Sequence, residues 1–377
     1  MDLQVGSRPL AVAFPPPVPT PGTGLGSAGP LEPCGPLCPF PPNGIWPKAR
    51  PGTQRGASQL EFLLFLGRRV LWSILVLVGL SIVIFAIARG MPGDPARLAL
   101  GPRATQEQVD DLNSKLGLDR PLYEQYGMFV SGLVQGDLGR SLLLGQPVVQ
   151  ATFQRLPVTL GLAFYALIIT LIAGLASGII AALRQNTWID QLSMMTAMLG
   201  ISVPNFFLGL LGIIFFAVKL GWLPTGGYVP FSVDPWQWFR SVTMPAISLA
   251  MLQMGLLARI TRSTMLEVLR QDYIRTARAK GLPGRQVVVK HALANALIPI
   301  TTIIGIIVSL LISGSVVIEL LFSIPGIGQL LTQAVLNRDY PMVQGGLLIT
   351  TVFLVLVNIF VDIIYAFLDP RVRYDSK

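Results

Sequence analysis

Six long, strongly apolar stretches of this sequence contain no charged residue: Val70–Ala88, Leu156–Leu183, Gln191–Val218, Ser241–Ala258, Ala292–Ile318 and Tyr340–Val361. A charge is costly in hydrocarbon, so charge-free apolar runs of about 18 residues or more read as membrane spans. At about 1.5 Å of rise per helical residue, each run covers a hydrocarbon core of about 30 Å, and the longer ones leave room for tilt. A transmembrane β-barrel would instead alternate polar and apolar residues in short segments, which these runs do not. Only 12% of the 377 residues are charged, about half the share usual in a soluble protein. The pattern predicts an all-α membrane protein with six transmembrane helices.

The formal charge of +9 matters less than where it sits. The loop 259–291 carries Arg259, Arg262, Arg270, Arg275, Arg278, Lys280, Arg285 and Lys290 against Glu267 and Asp272. Lys and Arg concentrate in short cytoplasmic loops, so this loop is expected inside. Counting spans backwards puts the N-terminus inside too, with Arg68 and Arg69 at the first span. Counting forwards returns the C-terminus inside, with Arg371, Arg373 and Lys377. The segment 89–155 then lies outside, where its seven acidic and seven basic side chains balance. A basic loop pinned between two spans suits lipid head groups rather than nucleic acid.

Residues 1–60 are rich in Pro and Gly, with Pro15-Pro16-Pro17 and Pro41-Pro42, and have little to bury. A disordered or polyproline-like tail is expected there rather than a signal peptide. Both cysteines, Cys34 and Cys38, lie in this tail, and His291 is the sole histidine. That inventory suits neither a metal site nor a His-dependent catalytic centre. In the external segment, Thr105 and Gln108 form a capping-box pattern ahead of Val109, Leu112 and Leu116 on one face, and Leu122–Val134 is a second amphipathic stretch. Within the spans, Gly174-x3-Gly178 and the series Gly305, Ser309, Ser313 put small residues along single helix faces, where close helix packing is expected. Pro204 and Pro245 are expected to kink or unwind their helices.

Three absences narrow the function. No lysine follows a glycine, so the chain has no Walker A nucleotide loop. The six runs hold no Asp, Glu or His, which a proton-coupled carrier would bury. No G-x-S-x-G nucleophile motif is present. What remains is a pore-forming subunit driven by a partner, or a passive channel.

The cytoplasmic loop reads Asp272-Tyr273-Ile274-Arg275-Thr276-Ala277-Arg278-Ala279-Lys280-Gly281-Leu282 and runs on to Pro299. Gly281, Pro283 and Gly284 break it into two helical stretches. The first is short and polar with small side chains, suited to lie on the membrane face and enter a groove on another protein. Tyr273–Leu282 and His291–Pro299 resemble the cytoplasmic signature of the dipeptide/oligopeptide/nickel branch of ATP-binding-cassette (ABC) importer permeases. The general hallmark of such permeases is degenerate here, with Arg275-Thr276-Ala277 in place of Glu-Ala-Ala and Ala294 in place of a proline. Further blocks match the branch: Pro92-Gly93-Asp94-Pro95, Leu116–Leu122, Gly136-Asp137-Leu138-Gly139, Glu319, Pro325-Gly326-Ile327-Gly328, Arg338-Asp339-Tyr340-Pro341 and Asp369-Pro370-Arg371. The resemblance covers about residues 62–375.

The resemblance implies a permease subunit of the first-permease type, with type I ABC importer architecture over 61–377, in a bacterial inner or plasma membrane. It implies a homologous second permease chain, two ABC ATPase subunits that bind ATP and Mg, and an extracytoplasmic substrate-binding protein. This chain would itself hold no cofactor, metal or catalytic residue. Asp272, Tyr273, Arg275, Thr276, Ala277, Arg278, Ala279 and Gly281 would form the ATPase-coupling segment. Glu319, at the outer end of the fifth run, is a candidate lining residue of the translocation path, or else an interface charge paired with Arg338. Short peptides are the expected cargo. Nickel or another small solute is the alternative.

Overall fold

The computed structural model describes residues 54–90, 95–101, 103–115 and 117–368. The tail 1–53 with Cys34 and Cys38, Pro92–Asp94, Leu116 and Asp369–Lys377 with Arg371 and Arg373 lie outside them. The chain divides into two units, Met1–Gln54 and Arg55–Lys377, and the candidate membrane spans all lie in the second. Among the described residues the backbone is helical, with one isolated antiparallel bridge between Arg140 and Pro147.

Five helical stretches are long and apolar enough to cross a membrane unbroken. They are α1 (Gln54–Gly90), α5 (Val148–Leu183), α8 (Pro235–Leu269), the run from Gly284 that ends in α11 (Ala294–Leu321), and α13 (Tyr340–Leu368). Between the first two spans lie the shorter helices α2 (Pro95–Leu100), α3 (Gln106–Lys115) and α4 (Leu122–Gln135). The Thr105 capping box forms as expected: Thr105 N donates to Gln108 Oε1 at 3.0 Å and Gln108 N to Thr105 Oγ1 at 3.4 Å.

The least apolar of the unbroken spans, α8, is also the most buried. It meets protein rather than lipid, so it needs fewer apolar side chains. Its start is fixed by Asp234, whose carboxylate accepts from Trp236 N at 2.9 Å and Gln237 N at 3.1 Å, with Pro235 in the first turn. Close packing of α5 on α8 uses the expected small residues. A methyl group on Gly178 would fall 2.6 Å from Ala258 O, and one on Gly174 would fall 3.0 Å from Leu257 Cδ2. Pro245 lies inside α8, which runs on through it.

Pro204 does break its helix. The residue before a proline is pushed out of the helical region, and Val203 is extended at φ −94°, ψ 127°. The run therefore divides into α6 (Trp188–Ser202) and α7 (Asn205–Gly212), which continues as a π-helical segment Ile213–Lys219, with a bend of 102° between the two halves. A bend that large could mark a re-entrant loop, but the contacts with α8 argue otherwise. Asp190 binds Arg262, Gly255 abuts Ala197 O, Gly200 abuts Met251 O, Gly209 touches Ser248, Gly212 touches Met244, and Arg240 donates to Trp222 O. The segment moves steadily along α8 in the antiparallel sense. From Arg262 to Arg240 is about 33 Å at 1.5 Å per residue, about the thickness of the hydrocarbon core. The broken segment is thus the sixth crossing.

Candidate functional site

The helix α9 (Asp272–Ala279) stands alone between α8 and a turn, after which α10 (Gly284–Gln286) and a π-helical segment Val287–Leu293 lead into α11. Ile274 and Ala277 are buried and join Leu266, Leu269, Leu282 and Val287 in the core. Asp272, Tyr273, Arg275, Thr276, Arg278 and Ala279 are exposed on the remaining faces. Arg275 and Asp272 approach to 3.7 Å while largely solvated, a pairing that contributes little. Ala277, expected at a contact with a partner, instead turns inward. With period 3.6, the face that seats Ile274 also carries the residue three positions on.

Gly281 closes α9 in a left-handed conformation, φ +78°. Gly281 N donates to Arg278 O at 2.9 Å and Leu282 N to Ala277 O at 3.4 Å, the paired bonds of a glycine-terminated helix end. A methyl group at Gly281 would meet nothing within 4 Å, so a side chain there costs torsional strain alone, about 1 kcal/mol or more.

Glu319 lies in the last turn of α11 and is fully buried within this chain. Its carboxylate accepts from Thr159 Oγ1 at 2.7 Å, Ser315 Oγ at 3.3 Å and Gln329 N at 3.2 Å. Gln329 lies in the first turn of α12 (Ile327–Leu336), where backbone N–H groups lack partners and a negative charge is favoured. Thr159 Oγ1 also accepts from Ile327 N at 2.9 Å. The Pro325–Gly328 block makes this fit. A methyl group on Gly326 would fall 2.3 Å from the Glu319 carboxyl carbon, and one on Gly328 would fall 2.6 Å from Val316 Cα. Glu319 therefore fastens α11, α12 and α5 together, and its hydrogen bonds go to these neighbours rather than to Arg338.

Two further clusters organise the site. Arg262 reaches Asp190 twice, Nε to Oδ1 at 2.5 Å and Nη2 to Oδ2 at 2.6 Å, and Asp190 Oδ2 also accepts from Asn186 N at 3.0 Å. This two-pronged pair, its carboxylate buried and its guanidinium partly exposed, ties the start of α6 to α8 about three turns ahead of α9. Asp339 is buried beside the segment that joins α4 to α5: Ser141 Oγ donates to it at 2.5 Å, Leu143 N at 3.2 Å and Met342 N at 3.2 Å. Gly139 lies 3.6 Å from Pro341 once given a Cβ, so the Gly136–Gly139 and Arg338–Pro341 blocks meet. Sequence reasoning alone assigns no functional role to Asp190, Arg262 or Asp339. The signal for the first pair is its opposite charges beside two charge-free runs.

The chain thus has helices long and apolar enough to cross a membrane and, between two of them, a short helix with one buried and one exposed face. The family described as the binding-protein-dependent transport system inner membrane component matches residues 174–374, and the N-terminal component of the same system matches residues 62–163. A Brucella abortus (strain 2308) protein, named provisionally as a peptide transport system permease, is 49% identical over 308 residues, covering 82% of this chain and 98% of that one. The dipeptide transport system permease DppB of Alkalihalophilus pseudofirmus is 41% identical over 327 residues, covering 81% and 98%. The glutathione transport system permease GsiC of Escherichia coli K12 is 42% identical over 307 residues, again 81% and 98%. A solved methionine ABC transporter in inward-facing conformations gives a TM-score of 0.49 at 20% identity, covering 59% of this chain and 97% of that one.

The chain belongs to the family of binding-protein-dependent transport system inner membrane components. It is a permease subunit of an ABC importer, embedded in the membrane by several spans. ATP hydrolysis in such importers belongs to separate subunits.

Proposed function

We propose that this permease carries short peptides, paired with a homologous second permease chain, two ATPase subunits and an extracytoplasmic substrate-binding protein. The names of three relatives support the cargo: peptide, dipeptide and glutathione, the last itself a tripeptide. The observation that carries the mechanism is the two-sided character of α9. Ile274 and Ala277 anchor it to this chain, while Asp272, Tyr273, Arg275, Thr276, Arg278 and Ala279 remain free to enter a cleft on an ATPase.

The basic loop supports an orientation with this helix, the N-terminus and the C-terminus all cytoplasmic. Closure of the two ATPases on ATP would then draw the two α9 helices together. Each would move with its α8 and α11, because buried side chains join them. The Asp190–Arg262 pair would pass the motion of α8 to the broken span. Rocking of the two permease chains would switch access between the membrane faces.

Gly281→Val tests this reading. It strains the end of α9 by about 1 kcal/mol or more without a clash inside this chain. Membrane level should hold, ATPase co-purification should weaken and peptide uptake should fall. Cargo movement through vesicles holding this chain alone, without ATPase, would refute the importer mechanism and support a passive channel.

A further inference from the structure

A cavity of about 440 Å³ lies between the external helices and the adjoining ends of α1 and α13, apart from both α9 and Glu319. Its described walls carry Arg89, Lys115 and Arg120 against one acid, Asp137. Asp137 is already engaged, since its Oδ1 accepts from Gly139 N at 2.9 Å. Lys115 and Arg120 are exposed at the rim. Arg89 is the inner cation, its guanidinium carbon 5.4 Å from the Phe85 ring centre and 5.8 Å from that of Tyr340.

The wall holds polar atoms whose bonding is unfinished. Arg89 Nε and Nη1 are cut off from solvent and have no hydrogen-bond partner. Gln344 is 6% exposed and its Nε2 lacks a partner. Gln125 is 5% exposed; its Nε2 donates to Leu118 O and Arg120 O, which leaves its Oε1 unpaired. Buried polar groups without partners are rare and point to a missing water, ion or ligand. A guanidinium pays most for such a state, because burying an unpaired charge is costly. Packing against Phe85 and Tyr340 offsets only part of that cost.

The donors also say what kind of ligand fits. The unpaired Nε–H and Nη1–H of the guanidinium diverge rather than form one fork, so each suits a separate oxygen, and a fixed cation with free donors favours an oxyanion such as a carboxylate or phosphate. Gln344 adds a third, neutral donor. Gln125 Oε1 adds one acceptor, suited to a hydroxyl on the same ligand. Arg89 ends the first span and Gln344 begins the last, so the cavity sits at the level of lipid phosphates while also bordering the external segment.

We propose that this cavity is a binding site for an oxyanion, held by Arg89 and Gln344. The oxyanion is either the phosphate of an anionic lipid or the carboxylate or phosphate of a soluble solute. The two sources are separable on the purified full-length chain. In the first arm, the delipidated chain is offered phosphatidylglycerol or phosphatidylcholine, and retained lipid is counted by native mass spectrometry. In the second arm, inorganic phosphate and dialanine are titrated in detergent while thermal melting is followed. Wild type, Arg89→Gln, Gln344→Leu and the external control Arg103→Gln are compared.

A lipid site predicts selective retention of phosphatidylglycerol, and a soluble ligand predicts a saturable rise in melting temperature. In either case both cavity variants should weaken binding about tenfold or more, the size of one lost hydrogen bond to a charged group, while Arg103→Gln does not. If Arg89→Gln fails to fold, Gln344→Leu decides alone. Absence of saturable binding in both arms overturns the proposal, as does binding that Gln344→Leu leaves unchanged.

Discussion

Replacing Glu319 by leucine keeps the bulk of the side chain and removes every acceptor it offers. Two donors then lose their partner inside the protein: the Thr159 hydroxyl at 2.7 Å and Gln329 N at 3.2 Å. Ser315 Oγ is spared, because it also donates to Ile312 O at 2.8 Å. Each orphaned donor costs about 1–3 kcal/mol, so Glu319→Leu should lose roughly 2–6 kcal/mol. At about 2 °C per kcal/mol for a chain of this size, melting should fall by at least about 4 °C. Glu319→Gln keeps an acceptor for Thr159 but sets an amide NH₂ against Gln329 N–H, so it should lose one bond, about 1–3 kcal/mol. The assay is intrinsic-fluorescence melting of the purified chain in detergent, beside dipeptide uptake in cells. Uptake should fall in step with folded protein in both variants. Melting of Glu319→Leu indistinguishable from the parent would refute the fastening role. A Glu319→Gln variant that melts normally yet takes up no peptide would show instead that the carboxylate meets cargo.

Replacing Arg262 should cost up to about 3–5 kcal/mol, since it strands the buried Asp190 carboxylate, and replacing Asp190 should cost less, since the Arg262 side chain is 25% exposed. The double variant Asp190→Leu/Arg262→Leu should cost much less than the two single changes together, and additive losses in a double-mutant cycle would disprove the coupling. Ala277→Trp should lower the amount of folded chain in the membrane, because Ala277 is buried against this chain's own core; full membrane levels would place it on the contact face after all. Cysteines at Tyr123 and Ser232, both exposed, should react with an impermeant reagent from outside, and one at exposed Gln286 only from inside. Labelling of Gln286 in intact cells would reverse the proposed orientation.

What could be read from the sequence was whatever repeats at the scale of a helix. Charge-free runs located the spans because lipid exclusion acts on every residue of a run, and the Thr105 box was legible because its two partners lie three residues apart. Gly281 could be read as a turn because few residues other than glycine take φ +78° without strain. Long-range pairing was not legible. By sequence alone Glu319 is a charge at the end of an apolar run, which fits a lining residue of the path or an interface charge paired with Arg338. Its partners, Thr159 and Gln329, lie 160 residues before it and 10 after it, and nothing local marks them. The same holds for Asp339, which reaches back 198 residues to Ser141. The glycine blocks carried the missing information in another form. Gly326 and Gly328 must lack side chains because Glu319 and Val316 occupy the space those side chains would need. A glycine-rich block beside a buried acid is thus a statement about close approach, and here it identifies Glu319 as enclosed before any cavity is considered.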